Sequence, residues 1–406
     1  MVQFAALDHA ARIAEIGNLP DAQIAGLPDL VVPGSRAEVL SRTRECARLL
    51  KEIDLARPQV RHLLLERASV PDDYSSGLRL AGLYYLTRIP FAAGVRRWED
   101  ETTAAFVRDR ANVPAVRYAP PGALSRSPNA LAQLLLTASA NPLAAPELQT
   151  EDLAELIAAN APSFEVEIGG DFDRFGELRW LRDREVPAVD ASRQVVYAHA
   201  ARTLYRGRVL LQLVYTIWFS ERPQREPGDI LAGTLDGVIW RVTLSPEGEP
   251  LIYDSIHACG CFHLFFPTAR ANALPAPNAR EEWAFVPRRL PRVSPGERPL
   301  VRIASGTHYV EDVSLVQGPD SVSRYEVRDY DELRSLARPE GGRRSAFGPD
   351  GLIAGTERPE RHFFWPMGVR SAGAMRQWGR HATAFVGRRH FDDADLFERR
   401  FEFDLQ

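Results

Sequence analysis

Lysine is almost missing from this chain: Lys51 is the only one among 50 basic residues, so arginine carries the positive charge. Against 54 acidic residues that leaves a net charge of −4 and no broad basic field, which excludes nucleic acid as a general partner. No apolar run approaches the ~20 residues that a membrane helix requires. The longest, Val209 to Phe219, is broken by Gln212 and reads as a strand. Met1-Val2-Gln3-Phe4 has neither the basic segment nor the apolar core of a signal peptide, so the default expectation is cytoplasmic, or exported and periplasmic if a leader has been removed. Cysteine is scarce as well: the Cys259, Cys261 pair and a lone Cys46 suit either redox compartment and build no disulfide framework.

Familiar catalytic signatures are absent too. There is no Walker-type phosphate loop, no Gly-x-Ser-x-Gly elbow, no His-Glu-x-x-His helix and no pair of Cys-x-x-Cys knuckles. Cys259-Gly260-Cys261-Phe262-His263 has the spacing Cys-x-Cys-x-His, which excludes c-type haem attachment. No repeat period and no low-complexity segment stands out.

What is present is a soluble globular composition, 45% hydrophobic and 26% charged over 406 residues, long enough to suggest two domains. Ser35 and Glu38 have capping-box spacing after Pro33 and Gly34, and Val39, Leu40, Ala47, Leu50 and Ile53 recur at helical spacing up to Pro58. Pro58 opens a further helix with His62 at its surface, and Cys46 is expected to pack in the core. Helix continues from Leu78 to Val107, interrupted at Pro90, with Leu80, Leu83, Tyr84 and Leu86 facing inward. Thr150 caps another. From Ser163 the period changes to two. Residues 194–201 and 208–219 form a hairpin across Tyr205-Arg206-Gly207, the second a central strand because both its faces are apolar. Another hairpin joins 237–244 to 251–263, later strands cover 300–303, 308–315 and 325–327, and Ala372 to Val386 is read as a helix. The expected class is therefore α+β: a helical region over 1–160 and a mostly antiparallel β-rich domain over 161–406.

The chemistry concentrates in one stretch. His257, Cys259, Cys261 and His263 alternate, so on a strand all four project from one face. Same-face neighbours lie about 6.6 Å apart along a straight strand, too far for one ion whose ligands sit at about 2.0–2.3 Å. Gly260 supplies the bend that brings Cys259 and Cys261 together with one flanking histidine. Six of the nine histidines fall between residues 257 and 390. Of these, His308, His381 and His390 are the candidates to complete a shell or to act as general base, with Asp312 orienting His308 and Asp392 beside His390. The leading expectation is a metal-dependent hydrolase that binds a divalent transition metal, zinc first, through His257, Cys259, Cys261 and His263. A thiol–disulfide oxidoreductase using Cys259 and Cys261 is the first alternative, and a non-enzymatic protein stapled by a structural metal the second. A small-molecule or peptide substrate fits the first two, and no residue selects the bond that reacts.

Overall fold

Two stacked sheets carry the fold, described for residues 2–26, 35–54, 56–110, 113–121, 127–141, 143–277, 281–317 and 323–405 of a computed structural model. The first sheet uses β1 (Ala115–Ala119), β2 (Ser163–Glu167), β8 (Glu297–Ile303), β9 (Val310–Gln317) and β10 (Ser323–Arg324) in the order β9-β8-β2-β1-β10. The second uses β3 (Val195–Tyr205), β4 (Arg208–Arg222), β5 (Gly233–Leu244), β6 (Pro250–His257), β7 (Leu264–Pro267) and β11 (Glu326–Asp329) in the order β11-β3-β4-β5-β6-β7. From β3 to β7 this sheet is an antiparallel meander. Arg206 and Gly207, at φ 47° and 78°, make the two-residue turn whose left-handed backbone suits the β3–β4 hairpin.

The α+β class and the central place of β4 agree with the sequence. Leu211, Leu213, Tyr215, Ile217 and Phe219 bury one face of β4 against Val301, Ile303 and Val313 of the first sheet. Val214 and Trp218 bury the other face beneath Tyr330, Met375 and Phe391 of the C-terminal segment. Fully burying a large apolar side chain contributes about 1.5–3 kcal/mol, so a strand apolar on both faces belongs in the middle of the sheet. Among the described residues one strand precedes residue 160: β1 pairs antiparallel with β2.

Helices form where capping and period placed them, over Arg36–Asp54, Pro58–Arg67 and Thr150–Asn160. Ser35 Oγ accepts from the Glu38 amide at 3.3 Å, while Pro33 and Gly34 lie outside the described residues. Thr150 is the first helical residue rather than the cap, which falls on Gln149.

Three expectations are corrected. The helix Tyr84–Phe106 runs through Pro90 without ending, and Leu80, Leu83 and Leu86 are exposed while only Tyr84 of that set is buried. The stripe that packs is Tyr84, Phe91, Trp98 and Phe106, seven or eight residues apart; the rings of its last three members meet Phe364, Phe262, Phe285 and Phe266. Large aromatic area on that face outweighs leucine on the other. Residues 372–386 form turns instead of a helix, because Gly373 and Gly379 sit at φ 84° and 85°, which a right-handed helix excludes. Cys46 is exposed on its helix rather than packed. Among the described residues no helix is long and apolar enough to cross a membrane.

Candidate functional site

The β6 strand stops at His257, which corrects the single strand expected through His263. The His257 amide donates to the Cys261 carbonyl at 2.9 Å, and the Gly260 amide to the His257 carbonyl at 2.8 Å, closing a tight turn. Gly260 holds φ 92°, and a Cβ there would stand 2.6 Å from the Ala382 carbonyl oxygen. Glycine is therefore required twice over. Gly260→Ala is expected to lower stability by at least about 1–2 kcal/mol, the penalty of a left-handed residue that carries a Cβ. An unchanged urea midpoint would count against glycine being required at this turn.

Because the chain turns, the four side chains do not share a face. His257 Nδ1 lies 3.4 Å from Asp236 Oδ1, whereas His263 Nε2 lies 2.9 Å from Asp254 Oδ2. Cys259 and Cys261 stay together at the turn, buried, free and hydrogen-bonded to each other. Among the described residues no group of three or more His, Cys, Asp or Glu side chains is placed to hold one ion. A zinc-centred site therefore has, among the described residues, two adjacent donors here and no third.

Cys261 forms part of the wall of a cavity of about 490 Å³. Phe91, Trp98, Phe262, Phe285, Tyr309 and Phe385 give that wall its aromatic character, and Glu99, Glu282, Glu360 and Arg389 its charge. This is the concave, mostly apolar kind of space, with a few convergent polar groups, in which small ligands are held. Glu360 is 2% exposed, and no described residue makes a hydrogen bond or salt bridge to its carboxyl. Burial pushes it up to about 7, although Arg358 and Arg222 pull the other way. The hydrogen bond from Cys261 lowers Cys259, with Arg358 helping, and the same bond raises Cys261. Cys259 is thus the more acidic of the two thiols.

Beneath the turn lies a buried charge chain. Asp236 Oδ2 stands 2.9 Å from His308 Nδ1, Arg358 Nη2 donates to Asp236 Oδ1 at 3.1 Å, and Asp173 Oδ1 is 3.4 Å from His308 Nε2. Burial disfavours the Asp236 carboxylate, yet Arg358 and the two histidines hold it well below the ordinary range. Burial likewise disfavours the His308 imidazolium, but the two aspartates outweigh it and raise its pKa. His257, with only one such neighbour, is lowered by burial.

His308 therefore enters a site, but not as expected. It sits at φ 52° before β9 instead of on the strand, and Asp312 pairs with Arg288 at 2.5 Å. His381 is buried behind the cysteine turn, where burial holds it at about 3. His390 lies apart, 3.5 Å from both Asp72 and Asp393 and edge-on to Tyr74, so Asp392 is not its partner. The sequence pattern did not single out Asp236, Arg358 or Glu360. The available signals were an aspartate inside the apolar run of β5 and the dense Arg-Pro-Glu-Arg at 358–361. Comparison with protein-family models, curated proteins and solved structures finds no match to this chain.

Proposed function

We propose that the chain is a thiol-dependent enzyme that exchanges with a small, mainly apolar disulfide. One observation carries this reading: a free cysteine pair opens through Cys261 onto an aromatic-walled cavity beside Glu360, a buried carboxyl that titrates near neutrality. Perturbed groups gathered in a cleft are the mark of a reacting site. The thiolate is the attacking species: the Cys261 S–H and Arg358 favour it on Cys259, and passage of the Cys261 proton to Cys259 transfers it to the sulfur that faces the cavity. As Cys261 attacks one sulfur of the substrate, its proton passes to Cys259. The first substrate thiolate leaves and takes its proton from water. Cys259 then attacks the Cys261 sulfur, closes the Cys259–Cys261 disulfide and gives its proton to the second leaving thiol. Two electrons pass to the substrate, and a thiol reductant resets the pair.

The test is reaction of the native protein with 2,2′-dithiodipyridine, read by the pyridinethione released. Wild type should release two equivalents from the pair, Cys259→Ser one, and Cys261→Ser none in the fast phase. Cys46, exposed on its helix, releases one equivalent of its own in each protein, and Cys46→Ser should remove only that equivalent. If only Cys46 reacts until the protein is unfolded, the reading is wrong. Stoichiometric zinc found by elemental analysis, with both thiols protected by it, would favour the metal-dependent hydrolase instead.

A further inference from the structure

The cavity's charges do not balance. Three carboxyls, Glu99, Glu282 and Glu360, face it with a single guanidinium, Arg389. Each nitrogen of that guanidinium already donates to protein: Nη1 to the Trp283 carbonyl at 2.7 Å, Nη2 to the Thr383 carbonyl at 2.8 Å and Nε to Thr383 Oγ1 at 2.9 Å. Glu282, 3.9 Å from Arg389, accepts the amides of Phe385 and Val386 at 2.7 and 2.8 Å, so it too is satisfied within the protein. Glu99 and Glu360 remain. Glu360 is the stronger observation, a carboxyl 2% exposed with no described residue bonded to it.

The walls point the same way. Trp98 packs against both Phe262 and Phe285 with ring centroids 5.4 Å apart, and Phe262 against Tyr309 at 4.6 Å, so a cluster of four aromatic rings lines the same cavity as the carboxyls. A cation over such faces is attracted by the ring quadrupole, increasingly so as it is desolvated. An anion would meet three carboxyls and one guanidinium whose three nitrogens already donate to protein. A neutral molecule would leave the Glu360 carboxyl buried without a partner. We propose that the cavity takes a cationic ligand, an ammonium group carried on an apolar or aromatic body, with Glu360 and Glu99 as its counter-charges and the rings as its cage. The inference rests on the reading of the cavity as the substrate site and names the class of molecule that enters it.

The test compares two probes of one shape, benzyltrimethylammonium and its carbon isostere neopentylbenzene, by quenching of tryptophan fluorescence in the full chain. The ammonium should bind at least tenfold more tightly, a difference of about 1.4 kcal/mol. Glu360→Gln, nearly isosteric, should erase most of that preference and leave neopentylbenzene binding unchanged. If neopentylbenzene binds as well as the ammonium in wild type, the cation inference falls while the thiol reading stands. The cation inference falls alone, too, if neither probe binds yet the cysteine pair consumes dithiodipyridine. If neither probe binds and the pair is inert, both readings fall.

Discussion

Asp236→Ala is expected to lose most of the protein's stability, on the order of 3–5 kcal/mol, the range seen when one partner of a buried charge cluster is removed. The carboxylate is 0% exposed and answers to four groups: the Gly237 amide at 3.0 Å, Arg358 at 3.1 Å, His308 at 2.9 Å and His257 at 3.4 Å. Truncation leaves Arg358 buried with no counter-charge bonded to it. His308 keeps Asp173, which itself accepts from the Gly306 amide and Ser305 Oγ, both at 2.7 Å, so that end of the chain is the better braced. Native domains hold only about 5–15 kcal/mol in total, so the alanine variant should be at or near unfolding. Asp236→Asn keeps the volume and one acceptor, loses the charge and should fall between the two. Urea midpoints of the three proteins decide this. A loss below about 1 kcal/mol for the alanine variant would mean that Asp236 is not the hub of the cluster.

How much of this was legible depended on the range over which each feature is encoded. The hairpins at Arg206-Gly207 and around Gly248 are local, written in a period of two and in residues that accept positive φ, and they appeared where expected. The bend at Gly260 was local too. Its consequence was not, because the separate directions of the buried His257 and His263 follow Asp236 on β5 and Asp254 on β6. His308 illustrates the same limit: its partners lie 72 and 135 residues away, and no spacing rule reaches that far. Glu360 carried only the weak local sign of Arg-Pro-Glu-Arg, since its character comes from being buried in a cavity walled by the helix Tyr84–Phe106 and the C-terminal segment. That helix also shows why an apolar stripe alone misleads. Its sequence offers two such faces, and only the aromatic one meets complementary rings.

Acid should unfold this protein unusually early, with stability falling between about pH 6.5 and 5, and the cause is histidine rather than carboxylate. Burial, the largest influence on each, holds His199, His263 and His381 at about 3. His199 is wedged between the rings of Tyr330 and Trp378, both 4.7 Å away, and His263 against Phe265 at 4.0 Å. In the unfolded chain each takes a proton near about 6.5; in the native protein none does until about 3. A depressed folded pKa means that the stability is present above about 6.5 and is lost steadily as pH falls toward 3, by up to about 1.4 kcal/mol per unit for each group. By pH 5 three such histidines remove roughly 6 kcal/mol. Glu360 works in the other direction: it is raised to about 7, protonates first in the native state and returns roughly 2 kcal/mol over the same interval. His308, also raised, titrates above this window, and its favourable contribution is complete below about 6.5. Asp236 and Asp254 are lowered, so what they contribute is lost only below the ordinary carboxylate range near about 4. Burial raises Asp73, Glu99, Glu282, Glu311 and Asp392 as well, and these act with Glu360, so the net loss by pH 5 is at most roughly 4 kcal/mol. Urea unfolding followed by the fluorescence of the seven tryptophans at pH 7, 6 and 5 measures it directly. Stability that stays level or rises across those three points would show that the buried histidines are not held neutral.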